Sequence, residues 1–198
     1  MKEIMEEAYG RQTLANLFTY VWLGDWDQYE QAFNQMPVQL KELFPFHASY
    51  NREQVSLWHE NYFYIPGDYF VAPYYSSYLS NGETDESRKH NLLGLLGMYE
   101  KYGFYFPLDK GYFPDHIGCM TAFVSSAIQE QIKALEQSDK KTAEEMFQVE
   151  AEIRAHYIEP TLSSILVLSE EKIDHPFFKS FIQYYAESIK QEWSLPTF

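Results

Sequence analysis

The sequence predicts an all-α fold, a helical bundle, and three observations carry that reading. Apolar residues recur at spacings of three and four along most of the chain, the period of one helix face. Period-two alternation, the mark of a half-buried strand, is scarce. The apolar stripes stop at glycine or proline, which close helices by left-handed backbone or by loss of an N–H.

The elements follow in chain order. Leu14, Leu17, Phe18, Val21 and Trp22 form the first stripe, closed by Gly24. Trp26, Tyr29, Phe33 and Met36 form a second, stopped by Pro37, and Val55, Trp58, Tyr62 and Ile65 a third, ending at Pro66-Gly67. Leu92, Leu93, Leu95, Leu96 and Tyr99 mark a helix from Glu86 to about Lys101, terminated near Gly103. The next runs from about Asp115 to Glu136. Asp115 is its expected N-cap, since a carboxylate accepts a free backbone N–H there. Thr142-Ala143-Glu144-Glu145 reads as a capping box opening a helix that carries Met146, Val149, Ile153 and His156. A segment beginning near Pro160 and a last helix from about Pro176 to Trp193 complete the set. Two stretches break the pattern: Ile65 to Thr84, with Pro66-Gly67, Pro73 and Asn81-Gly82, and Gly103 to Pro114, with Gly103, Pro107 and Gly111.

A length of 198 residues suits one domain, 1–198, with a sizeable core. Fifteen basic against 29 acidic residues give 15 − 29 = −14, a field that disfavours nucleic acid and anionic membranes and favours a cationic partner. Cys119 is the sole cysteine and sits in an apolar run, so it reads as a small core residue, with no disulfide. The first residues lack a basic stretch followed by an apolar one, and no run reaches the roughly 20 apolar residues that span a bilayer. The expectation is a cytoplasmic protein without membrane insertion.

Chemistry-bearing motifs are few. Glu86/His90, Glu152/His156 and Glu171/His175 are spaced by four rather than the three of a di-iron Glu-x-x-His motif, and His59-Glu60 lacks the second histidine of a zinc-protease helix. No metal and no cofactor are assigned. No nucleophile elbow or phosphate-binding glycine loop occurs, so no catalytic residue is assigned either. Two short motifs stand out instead: Ala72-Pro73-Tyr74-Tyr75-Ser76-Ser77-Tyr78-Leu79, an aromatic bend, and Phe113-Pro114-Asp115-His116-Ile117-Gly118, a carboxylate and an imidazole where a loop enters a helix. Tyr74 and Tyr78 read either as plugs of the bundle or as walls of an apolar groove, with Ser76 fixing the bend.

These two motifs resemble the TorD/DmsD/NarJ family of cytoplasmic chaperones for molybdenum oxidoreductases, whose pattern is Pro-Pro-Tyr-Glu-Ser-x-Tyr followed by Pro-Asp-His. Here Ala72 stands for the first proline and Tyr75 for the glutamate, and His156 to Pro160 lacks a following tryptophan. The likeness extends over roughly residues 10–190. It implies two helical halves joined by a hinge loop at about 103–114, and a monomer or a swapped homodimer. It implies binding of the twin-arginine signal peptide, or the N-terminus, of a molybdopterin-dependent oxidoreductase precursor. The client is held for cofactor insertion and its export delayed. Tyr74, Ser76, Tyr78, Pro114, Asp115 and His116 are the implied peptide-binding residues, with Asp115 attracting arginine and His116 offering a hydrogen bond or stacking face. The alternatives are a small helical enzyme using Asp115 and His116 as acid–base groups, and a general protein-interaction module. Guanine nucleotide, attributed to some members, is not assigned.

Overall fold

The computed structural model describes residues 2–79, 85–105 and 111–193. The expected Asn81-Gly82 turn and Pro107 lie outside the described residues. The described chain is helical: α1 (Lys2–Trp22), α2 (Trp26–Gln35), α3 (Val38–Lys41), α4 (Arg52–His59), α5 (Asp85–Lys101), α6 (Ile117–Glu136), α7 (Lys140–Ile153), α8 (Glu159–Lys172) and α9 (Pro176–Lys190). Among the described residues there is no β-strand, only an antiparallel bridge between Tyr74 and His116.

α1 and α6 form the centre of the bundle. Gly118 allows their close approach: a Cβ there would lie 2.6 Å from Leu23 Cδ2 and 3.0 Å from Trp22 Cβ. Gly24 ends α1 at φ +62°, a conformation costly for any side chain, and a Cβ would also meet the His59 ring at 2.8 Å. The aromatic surplus builds the core. Phe18 stands edge-to-face on Tyr185 at 5.0 Å and Trp22 on Phe181 at 5.3 Å, so α9 is locked across α1 by quadrupole-favoured contacts. Cys119 is fully buried, and burial pushes its thiol up to about 12, which keeps it a protonated core residue.

Two expected boundaries shift. The capping box at Thr142 is not a cap: Asp139 caps α7, accepting the Thr142 N–H at 3.1 Å and its hydroxyl at 2.7 Å. Ser138, at φ 60°, breaks the chain after α6 and brings Asp139 into place. The segment near Pro160 continues α7 through a π-turn, Arg154–Ile158, in which the Glu159 N–H reaches back to the Arg154 carbonyl. Proline has no N–H to give, and the wider turn absorbs that loss at the start of α8. The short α3 and a 3-10 turn at Pro45–Ser49 were not foreseen, because each is too brief to display a period.

Candidate functional site

The two motifs, some forty residues apart in sequence, meet in space. The Tyr75 N–H donates to the Asp115 carbonyl at 3.0 Å and the Ile117 N–H to the Pro73 carbonyl at 2.8 Å. Together they make the Tyr74–His116 bridge. The Asp115 carboxylate adds a third tie, Oδ2 accepting the Ser76 N–H at 2.9 Å. From α5, the Tyr99 hydroxyl donates to the Pro114 carbonyl at 2.9 Å. The aromatic bend is therefore held to the start of α6 by backbone bonds that do not depend on the identity of the ring side chains.

The junction opens onto a cleft of about 440 Å³. Leu92 and Leu96 of α5 line it together with Tyr74 and Phe113, and Pro114, Asp115, Ser76 and Ser77 complete the lining. The Tyr74 and Phe113 rings meet edge-to-face at 5.9 Å, and Phe113 is 65% exposed. An exposed phenylalanine beside half-open leucines is a place for an apolar ligand segment. Burial, then the neighbouring Asp115 carboxylate, pushes the Tyr74 hydroxyl above its ordinary range, so it stays a neutral donor.

Of the six residues implied by resemblance, four line this cleft: Tyr74, Ser76, Pro114 and Asp115. His116 and Tyr78 do not. His116 is 1% exposed and is the N-cap of α6, its Nδ1 accepting the Gly118 N–H at 3.0 Å, so the cap is one residue later than the expected Asp115. Burial lowers its pKa to about 3, as does the nearby His59, and a neutral ring is what the cap requires. The Tyr78 hydroxyl donates to the Ala72 carbonyl at 2.6 Å and closes the bend from behind. Asp115 and His116 each bond a different backbone N–H rather than one another, so they do not form an acid–base couple.

Leu92, Leu96, Phe113 and Ser77 complete the cleft and were not singled out as site residues. A signal existed: leucines at 92, 93, 95 and 96 span more than one helix face, while only Leu95 is fully buried and Leu93 is 65% exposed. No group of three or more histidine, cysteine, aspartate or glutamate side chains among the described residues is placed to hold a metal ion. No described helix is long and apolar enough to cross a membrane.

Comparison with curated proteins and with solved structures returns no significant match. The family description "Nitrate reductase delta subunit" matches residues 26–160, about two-thirds of the chain, and that span contains both motifs, α5 and the cleft. Its members are chaperones of molybdoenzyme maturation rather than catalysts. The chain belongs to the nitrate reductase delta subunit family, the NarJ/TorD-like chaperones.

Proposed function

We propose that this protein is a cytoplasmic maturation chaperone that binds the N-terminal leader of a molybdopterin-dependent oxidoreductase subunit. The leader is a twin-arginine signal peptide or a remnant of one. The chaperone holds the client for cofactor insertion and delays its export. The observation that carries the reading is the cleft itself: two distant motifs tied by three backbone-directed bonds, opening an aromatic and leucine-lined slot with Asp115 in its lining.

The chemistry of the slot suits such a peptide. Its apolar stretch would be buried against Leu92, Leu96, Tyr74 and Phe113. Burying about 300 Å² of apolar surface contributes roughly 7–8 kcal/mol before ordering costs, which leaves an affinity on the order of micromolar. The net charge of −14 speeds encounter with a cationic leader. While bound, the leader is hidden from the export machinery, so one surface serves both recognition and delay.

The test is calorimetric titration of the full chain with a synthetic leader peptide. Phe113→Ala should weaken binding about tenfold, because Phe113 is exposed and its loss leaves the core intact. Equal affinity in wild type and variant would refute the cleft as the peptide site.

A further inference from the structure

Two buried N–H groups that find no acceptor among the described residues belong to side chains lining one cavity. They are the indole Nε1–H of Trp193 and the Nε–H of Arg11. The cavity, of about 290 Å³, lies between α1, the α3 segment and the turn after α9, and Leu14, Met36, Leu40, Leu43 and Phe44 give it an apolar lining. It shares no lining residue with the leader cleft.

Strained backbone holds Trp193 in place. Glu192 at φ 54° and Trp193 at φ 62° are consecutive non-glycine residues in the left-handed region, which crowds a Cβ against the following carbonyl. The Trp193 N–H donates to the Ser188 carbonyl at 2.7 Å. The ring is 0% exposed and packs on Tyr185 at 6.0 Å and Phe18 at 6.3 Å. The chain thus turns this residue inward against its own preference, yet leaves the one polar atom of the side chain unpaired. An indole only donates, so the missing partner is an acceptor.

Arg11 repeats the pattern. It is 6% exposed, and its Nη1 donates to Glu150 at 2.5 Å and its Nη2 to Gln131 at 2.7 Å, which leaves the Nε–H over. Glu150 already balances the guanidinium charge, and Glu7 adds a negative charge to the lining. A carboxylate would be repelled there, whereas a neutral carbonyl would not. Gly10 supplies a third observation. It lies inside α1, where glycine is a poorer helix former than alanine, and it lines the cavity. A Cβ built on it meets nothing within 4 Å, so no packing in the fold requires the side chain to be absent. What a side chain at position 10 would take is cavity space.

We propose that this cavity binds a small, neutral, mostly apolar molecule bearing a carbonyl oxygen. The oxygen accepts from the Trp193 indole, with the Arg11 Nε–H as the second donor, and the apolar body packs on Leu14, Leu43 and Phe44. Small-molecule sites begin near about 300 Å³, so the volume suits such a ligand. An aromatic ketone is a simple member of the class. The site stands apart from leader binding and does not depend on it.

The test uses the full chain and three probes of similar shape: methyl naphthyl ketone, isopropenylnaphthalene, which lacks the acceptor, and naphthoate, which carries a charge. Binding is followed through the indole N–H resonances, that of Trp193 being assigned by its loss in Trp193→Phe. The ketone should bind at least tenfold more tightly than the hydrocarbon or the anion and move the Trp193 indole proton downfield, because a site with orphaned donors rejects an analogue without the acceptor. Trp193→Phe keeps a ring in the core and should lower ketone affinity to that of the hydrocarbon. Gly10→Leu should abolish binding of both while Tm stays level or rises, since leucine favours a helix more than glycine does. Equal affinity for ketone and hydrocarbon, a silent Trp193 resonance, or full binding in Gly10→Leu overturns the site, as does failure of the ketone to bind. Displacement of the ketone by the leader peptide assigns the cavity to the client and overturns it as a small-molecule site.

Discussion

Asp115 shows how one residue can combine two duties that the sequence presents as competing. Its carbonyl and its carboxylate both pin the aromatic bend, through the Tyr75 and Ser76 N–H groups, and the residue lines the cleft. Asparagine can accept the same Ser76 bond, so Asp115→Asn should alter unfolding free energy by less than about 1 kcal/mol. Asp115→Ala, which leaves that N–H without its partner, should cost about 1–3 kcal/mol in urea unfolding. Equal stabilities of the two variants would show that the bond contributes nothing. The sequence located this residue through its motif but misassigned its partner. A carboxylate one position before an imidazole at a helix start reads as the cap, and which side chain turns inward depends on a bridge to Pro73 and Tyr75 that no local pattern encodes.

At the scale of elements, helix spans were legible because stripes of aromatic and aliphatic residues bounded by Gly24, Pro37 and Gly103 leave little freedom. The α6–α7 corner was less so. Thr142 and Glu145 satisfy the capping-box pattern, yet Asp139 takes the role because Ser138 breaks α6 one residue earlier. The cleft was half legible. Tyr74 and Asp115 came from their motif, but the α5 wall did not, since Leu92 and Leu96 read as ordinary core leucines until the exposure of α5 is known. The α1–α6 contact is the support beneath it, and Gly118 sets its spacing. Gly118→Val should destabilise the protein by about 1–3 kcal/mol through overpacking against Leu23 and Trp22, measured as a lowered Tm, despite valine's better helix propensity than glycine. An unchanged or raised Tm would mean that the two helices part without cost.

For the whole molecule, two buried neutral histidines link stability to pH. Burial lowers the pKa of His59 to about 4 and of His116 to about 3, below the ordinary 6.5 of the unfolded chain. Between those values the unfolded state binds more protons, so stability is complete above about pH 6.5 and falls as the medium is acidified. Each histidine contributes a slope of roughly 1 kcal/mol per pH unit. Glu150, raised by burial that the Arg11 guanidinium only partly offsets, works in the opposite direction nearer its ordinary 4.5. His116→Asn, which retains a capping oxygen for the Gly118 N–H, should reduce the loss of stability between pH 6.5 and 5 by about half. An identical acid slope in the variant would mean that His116 titrates in the fold as it does in solution.

The acidic excess acts at the same scale. With a net charge of −14, association with a cationic leader should slow several-fold between 50 and 300 mM salt, while dissociation, governed by apolar contact in the cleft, changes little. Stopped-flow mixing separates the two rates, and a salt effect confined to dissociation would contradict steering by the overall field.

The most direct test of the account is amide and methyl chemical-shift mapping of the full chain titrated with a twin-arginine leader peptide. The account predicts that the largest shifts fall on Ser76, Ser77, Leu92, Leu96 and Phe113, the residues around the paired motifs. Shifts confined to the α7–α8 face, with these positions unmoved, would contradict it.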